Sequence, residues 1–272
     1  MCELKLKNRT IKTSLPAFVM GIVNATPDSF YGESRGGADY ALRLISEGAD
    51  IIDIGGESTR PGSEYISEEE EIKRIVPVIK KIREVSDIPI SVDTRKKNVM
   101  QAAFESGADI LNDVSALKDD SEMAGFCAKT ELPVILMHKR GIPLKMQSET
   151  EYKDIFLEVN DYLLERASFA EKCGIKQEKI IVDPGIGFGK DLEGNVCLIK
   201  NIGKLCNKKY TILMALSRKS CIGEITGRSV QDRLCGTLAA NLISVMNGAQ
   251  IVRVHDVKET VDTLKVLEYI NR

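Results

Sequence analysis

Short apolar runs alternate with longer stretches of helical periodicity along the whole chain. The runs are Phe18–Val23, Ile51–Ile54, Ile88–Val92, Ile110–Leu111, Pro133–Met137, Lys179–Val182, Tyr210–Leu216 and Ile251–Val254. They are rich in Ile and Val and do not alternate with polar residues. Strands buried on both faces, as in a parallel sheet covered by helices, have this pattern. The stretches between them predict helices. Ser67 and Glu70 form an S-x-x-E capping box, and Glu68–Glu71 sit at the positive end of the helix dipole. Ile72, Ile75, Val76, Ile79 and Ile82 follow at helical spacing, and Pro77 predicts a kink or local irregularity. Ile155, Phe156, Val159, Leu163 and Ala167 mark a helix between residues 151 and 172. Val257, Val261, Leu264 and Leu267 mark the last one, with Asp256 and Glu259 as a second capping pair.

One phrase recurs at the joints. Gly48-Ala49-Asp50-Ile51, Gly107-Ala108-Asp109-Ile110 and Gly248-Ala249-Gln250-Ile251 each end a helical stretch and open an apolar run. Glycine accepts the left-handed conformation that ends a helix, after which the chain enters a strand. No linker or composition shift divides residues 1–272. Eight strands alternating with helices in one undivided domain predict an α/β fold, a (β/α)8 TIM barrel, with a doubly wound open sheet as the competing arrangement. Residues 1–16 alternate weakly around Asn8-Arg9 and predict a hairpin closing the barrel floor.

Composition narrows the function. A net charge of -2 gives no sign of a nucleic-acid or membrane partner, and two histidines, His138 and His255, argue against a poly-His metal site. The seven cysteines are odd in number and contain no C-x-x-C, so reduced thiols in a cytoplasmic protein are expected. The longest uncharged run, Leu234–Val252, contains Asn241, Asn247, Gly248 and Gln250, which predicts a helix, a turn and a buried strand rather than a membrane span.

The apolar runs end in polar side chains: Asn24, Asp53, Asp93, Asn112-Asp113, His138, Asp183, Ser217-Arg218-Lys219, and Arg253 with His255. One such residue is as readily a helix cap as a ligand. Eight strand ends converging on one barrel mouth would instead build a cup. Asp93, Asn112 and Asp183 supply acceptors suited to a flat heterocycle with amino and ring N–H donors. Asn24, Arg60, Arg253 and His255 suit an anion, above all a phosphate. Asp183-Pro-Gly-Ile-Gly-Phe-Gly-Lys190 has neither dinucleotide nor P-loop spacing, and reads as a tight turn exposing an acid at a strand end. Long polar loops follow the first two strands, over 24–37 and from Gly55 to Gly62.

These phrases together resemble the dihydropteroate synthase family. They are Met20-Gly-Ile-Val-Asn-Ala-Thr-Pro-Asp-Ser-Phe30, Asp53-Ile-Gly-Gly-Glu-Ser-Thr-Arg-Pro-Gly62, Ser91-Val-Asp-Thr94, Asn112-Asp113, Leu136-Met-His138, the 183–190 stretch, Ser217-Arg-Lys-Ser220 and Arg253-Val-His-Asp-Val257. The resemblance runs in order from Met20 to the end. It departs after Phe30 and at the basic Arg95-Lys96-Lys97.

The resemblance implies a (β/α)8 barrel that joins a pterin pyrophosphate to p-aminobenzoate in folate synthesis. Asp93, Asn112, Asp183 and Lys219 resemble the pterin-binding set, and Asn24 the residue that holds Mg2+ with the pyrophosphate. Arg253 and His255 resemble the pyrophosphate clamp, with Thr59 and Arg60 contributing from the second loop. Asp93, Lys219 and Arg253 are the expected catalytic residues. Phe30, Pro61, the stem of Lys219 and Ser220 are expected to receive p-aminobenzoate. The reaction implied is substitution at a methylene carbon, needing no enzyme nucleophile, so Cys221 is not expected to serve as one. The family also implies a homodimer. The rival readings are a pterin-binding methyltransferase acting with a corrinoid protein, and a silent pterin-binding barrel. Thr26–Phe30 and Ser217–Ser220 argue against the first, and the presence of Asn24, Arg253 and His255 against the second.

Overall fold

The structure is a computed structural model that describes residues 2–25, 37–58, 65–141 and 150–272. Strands β1 (Cys2–Lys5) and β2 (Thr10–Thr13) form an antiparallel hairpin in which Leu4 pairs with Ile11. Eight parallel strands follow: β3 (Phe18–Asn24), β4 (Ile51–Gly55), β5 (Ile90–Asp93), β6 (Ile110–Asp113), β7 (Val134–Met137), β8 (Ile180–Asp183), β9 (Thr211–Met214) and β10 (Ile251–Val254). They close into a barrel in chain order, β10 pairing back onto β3, with Arg253 beside Met20. Each falls on a predicted apolar run, and the open-sheet alternative is excluded by the closure. Helices α1 (Gly37–Ser46), α2 (Glu68–Arg83), α3 (Lys97–Glu105), α4 (Met123–Thr130), α5 (Ile155–Lys172), α6 (Leu192–Asn201), α7 (Ser220–Thr226), α8 (Leu234–Met246) and α9 (Val257–Ile270) connect them. No helix among the described residues is long and apolar enough to cross a membrane.

Side chains of a strand alternate between its two faces. Val19, Val23, Ile52, Ile54, Val92, Leu111, Val134, Val182 and Val252 pack outward with helix residues such as Leu44, Ile79 and Leu163 in one large core. Phe18, Met20, Ile51, Ile110, Ile135, Ile181, Leu213 and Ile251 fill the barrel interior, together with Leu4 and Leu6 of the hairpin segment. The hairpin therefore closes the floor, as expected. Two residues further along, the inward positions turn polar: Asp53 after Ile51, Asn112 after Ile110, Asp183 after Ile181 and Arg253 after Ile251. The runs read as unbroken because the outward face stays apolar to the strand end, while the inward face changes from floor to mouth.

The recurring joint phrase does more than end helices. Gly48, Gly107 and Gly248 have φ of +100°, +109° and +111°, as the left-handed ending requires. The polar residue two positions later then clasps the neighbouring strand. Asp50 accepts from the Val19 N–H at 2.8 Å, Asp109 from Ile90 at 2.9 Å and Gln250 from Ile212 at 3.1 Å. In each case the joint backbone N–H donates back to the same strand residue.

Two local expectations change. Pro77 lies inside an uninterrupted α2, whose buried Ile75, Val78, Ile79 and Ile82 hold it against the barrel. Asp256 precedes α9 but makes no cap hydrogen bond. Its carboxylate is instead taken by Arg218, at 2.9 Å from Nε and 2.7 Å from Nη2. Ser67 does cap α2, accepting from the Glu70 N–H at 3.2 Å, and Asp154 caps α5 by accepting from Leu157.

Candidate active site

The inward polar layer meets around one guanidinium. Arg253 Nε lies 2.6 Å from Asp53 Oδ2, and its Nη2 lies 3.2 Å from Asp93 Oδ2. β4 and β10 both flank β3, so the two residues meet across it although they are 200 positions apart. Asn112 Nδ2 donates to the same Asp53 carboxylate at 3.2 and 3.4 Å. Asp93 Oδ1 is buried without a hydrogen-bond partner. Burial pushes the Asp93 carboxyl up to about 7, Arg253 opposing this and Asp53 adding to it. Such a group is poised for an incoming donor.

Asp183 stands across the cup and accepts from the Gly185 N–H at 2.7 Å. Burial raises its pKa against the pull of Lys219. Lys219 donates to the Ile186 carbonyl, and its ammonium sits 4.9 Å over the Phe188 ring. Burial lowers its pKa to about 8, with Asp183 opposing. The turn that holds both partners is pinned by Lys190, which reaches His138 Nδ1 at 2.9 Å and the Gly185 and Phe188 carbonyls at 2.8 and 2.9 Å. Gly185 has φ +66°, and a Cβ there would lie 1.8 Å from the His138 carbonyl oxygen, so only glycine fits. His255 is fixed by Ser217, whose hydroxyl lies 3.1 Å from its backbone N and 3.0 Å from Nδ1. Asn24 ends β3 at the mouth, half-buried and in register with Gly55.

A profile described as pterin binding enzyme matches residues 20–255. The dihydropteroate synthase of Escherichia coli strain K12 is 43% identical over 258 residues, covering 92% of this chain and 90% of that protein. The chain belongs to the dihydropteroate synthase family. Among solved structures, the Yersinia pestis dihydropteroate synthase in a sulfonamide complex superposes with a TM-score of 0.93 at 39% identity, over 99% of both chains. The Xanthomonas albilineans dihydropteroate synthase with 4-aminobenzoic acid gives 0.91 at 41%, over 99% of this chain and 98% of that one. These relatives side with a synthase over the methyltransferase alternative.

Within this dihydropteroate synthase family member, the structure brings Asp93, Asn112, Asp183, Lys219 and Arg253 to the mouth, with Asn24 and His255 at its edge. Ser220 opens α7 and is exposed. Thr59, Arg60, Phe30 and Pro61 lie outside the described residues. Asp113, one position beyond Asn112, accepts instead from the Ser115 and Leu117 N–H groups and the Ser115 hydroxyl. The basic Arg95-Lys96 also has a place. Lys96 Nζ lies 2.7 Å from both Glu57 and Glu71 and 2.8 Å from the Ile66 carbonyl, while Arg95 pairs with Glu57 and stacks 3.8 Å over Tyr65. That network anchors the stem of the second loop. Asp53 is the site residue that strand-end reading left without a role. Its signal was its place between Ile52 and Ile54, an acid at an inward position of a buried strand. Cys221 is buried with a raised pKa, as fits a thiol that takes no part.

Proposed function

We propose that this chain catalyses the dihydropteroate synthase reaction of folate biosynthesis, a transferase reaction. It joins 6-hydroxymethyl-7,8-dihydropterin pyrophosphate to p-aminobenzoate, giving 7,8-dihydropteroate and pyrophosphate. The observation that carries this reading is one cup with two chemistries, buried acceptors around Asp93, Asn112 and Asp183 and cations at Arg253 and Lys219. Asp93 and Asp183 accept from the pterin's amino and ring N–H groups, and the Asn112 carbonyl accepts beside them. Arg253 and His255 face the pyrophosphate. The methylene C–O bond breaks, its electrons leave with the pyrophosphate, and the aromatic nitrogen forms the new C–N bond and sheds a proton. Arg253 stabilises charge that develops on the leaving group. Asp93, when ionised, would favour a cationic methylene on a pterin bound beside it. Thr59 and Arg60 would add phosphate contacts. Phe30, Pro61, the Lys219 stem and Ser220 would form the p-aminobenzoate slot.

A Mg2+ ion fits the donor set. Among the described residues no group of three His, Cys, Asp or Glu could hold a metal. Mg2+ bound to phosphates needs only one or two protein oxygens, and the Asn24 carboxamide at the mouth would supply one. When bound, the ion would neutralise charge on the pyrophosphate.

A homodimer is proposed from the surface of α8. Its buried residues are Thr237, Asn241, Ser244 and Val245, three of them polar, while Cys235, Ala239, Ile243 and Met246 are exposed. An ordinary surface helix has the opposite pattern. α8 carries no charged residue, so two copies can meet there about a twofold axis without burying a charge. A cytoplasmic location accords with seven free cysteines.

The test is direct. The protein, Mg2+, pterin pyrophosphate and labelled p-aminobenzoate should yield labelled dihydropteroate and pyrophosphate. No product, or methyl transfer to a corrinoid protein instead, would refute the assignment. Asp183→Ala should weaken a phosphate-free pterin at least about tenfold by calorimetry, since a buried charged partner is lost. Arg253→Ala should weaken the pyrophosphate substrate far more than that pterin.

A further inference from the structure

The structure assigns Asp53 as a positioning residue that sets both halves of the cup at once, presenting Asn112 as an acceptor and aiming Arg253 at the phosphate. The inference rests on the division of the cup proposed above. Asp53 is fully buried, so it touches no substrate and acts only through its neighbours.

The chemistry of its contacts fixes their orientation. An ionised carboxylate accepts hydrogen bonds and donates none. Because Asp53 is ion-paired to Arg253, the Asn112 group 3.2–3.4 Å away must be the NH2 side of the amide. The carbonyl Oδ1 of Asn112 therefore points elsewhere, as an acceptor. An amide free to rotate would offer either face to a ligand. This one is held to the face that suits a ring N–H.

Arg253 is constrained by the same carboxylate. Asp53 takes its Nε edge at 2.6 Å and Asp93 takes Nη2 at 3.2 Å, while among the described residues none accepts from Nη1. The planar guanidinium is thus gripped along one edge, and Nη1 remains for an anion. Pre-orientation of this kind lowers the ordering cost of binding. Asp53 and Asp93 also share one cation, which bridges the two carboxylates in a confined space. The two substrate halves are in this way read through one buried group that neither of them touches.

A double-mutant cycle tests this. Asp53→Asn is close to isosteric and keeps the site filled, and a melting curve of each variant reports its folding. Affinity for a phosphate-free pterin is measured by calorimetry in wild type, Asp53→Asn, Asn112→Ala and the double variant. Each single change should weaken binding about tenfold, and the double variant should be no weaker than Asn112→Ala alone. Inorganic pyrophosphate with Mg2+ should bind about tenfold less tightly to Asp53→Asn, and unchanged to Asn112→Ala. A role confined to stability would lower the melting temperature and leave both affinities in place, which overturns the inference. Independent, multiplying losses in the double variant overturn it as well. If Asn112→Ala itself leaves pterin affinity unchanged, the division of the cup fails, and the inference falls with it.

Discussion

Asp93 shows what a binding site costs the fold that carries it. Its folded pKa is raised from the ordinary carboxylate range to about 7, by burial first and by Asp53 besides. A raised folded pKa contributes stability that is fully present below the unfolded value and lost as pH rises through the folded one. Wild type should therefore lose stability between about pH 4 and pH 7 on account of this group. Asp93→Asn removes the titration. The variant should gain stability relative to wild type on going from pH 5 to pH 8.5, by an amount on the order of 2 kcal/mol. Melting curves at the two pH values check it, and a stability difference that does not change with pH would show that Arg253 fully compensates the charge. The sequence exposes Asp93 as a strand-end acid, but not this cost. Its pKa depends on burial, Arg253 and Asp53, and burial and Arg253 come into place only when β10 closes onto β3. Asp53 stayed without a role for the same reason, since its two partners lie 59 and 200 positions away. Asp256 looked like a cap because its local pattern is that of a cap. The competing partner, Arg218, is 38 positions distant.

At the level of elements, stability and function separate along the barrel axis. The floor is apolar and is closed by a hairpin, whereas the mouth is polar and carries the chemistry. Leu4 is 2% exposed and packs with Phe18, Met20 and the other inward residues of the floor. Leu4→Ala should cost about 2–4 kcal/mol in urea denaturation, through lost transfer energy and the cavity left behind. The KM for the pterin substrate should stay within about twofold of wild type, because no mouth residue joins that cluster. A raised KM at unchanged stability would contradict the division. Elements were largely legible in the sequence because both periodicities survive in it. The strands show as apolar runs, and the joints show as a thrice-repeated phrase. What the phrase does beyond its glycine, clasping the adjacent strand through Asp50, Asp109 and Gln250, needs the neighbour's position. Pro77 was judged by its local effect, about 3 kcal/mol in a helix interior, and packing of the α2 face outweighs it.

The whole molecule is an enzyme whose described site residues all come from one chain, and which carries an apolar helix on its outside. These facts lead to opposite expectations for assembly and for catalysis. α8 exposes Ile243 at 49% and Met246 at 67%, and it packs between α7 and α9, which expose Ile225, Val266 and Tyr269. In water this apolar surface favours association, at roughly 25 cal/mol for each Å² covered. A charge on it in a dimer would be buried without a partner. Ile243→Glu should therefore convert a dimer to a monomer, read by sedimentation at micromolar protein. The substitution is at an exposed position, so the fold should hold. Because Asp53, Asp93, Asn112, Asp183, Lys219 and Arg253 are assembled within one barrel, turnover per chain should remain within about twofold of wild type. A wild-type protein that sediments as a monomer, or a variant that stays dimeric, would remove α8 as the contact. Loss of turnover in a well-folded monomer would mean that a second copy completes the site.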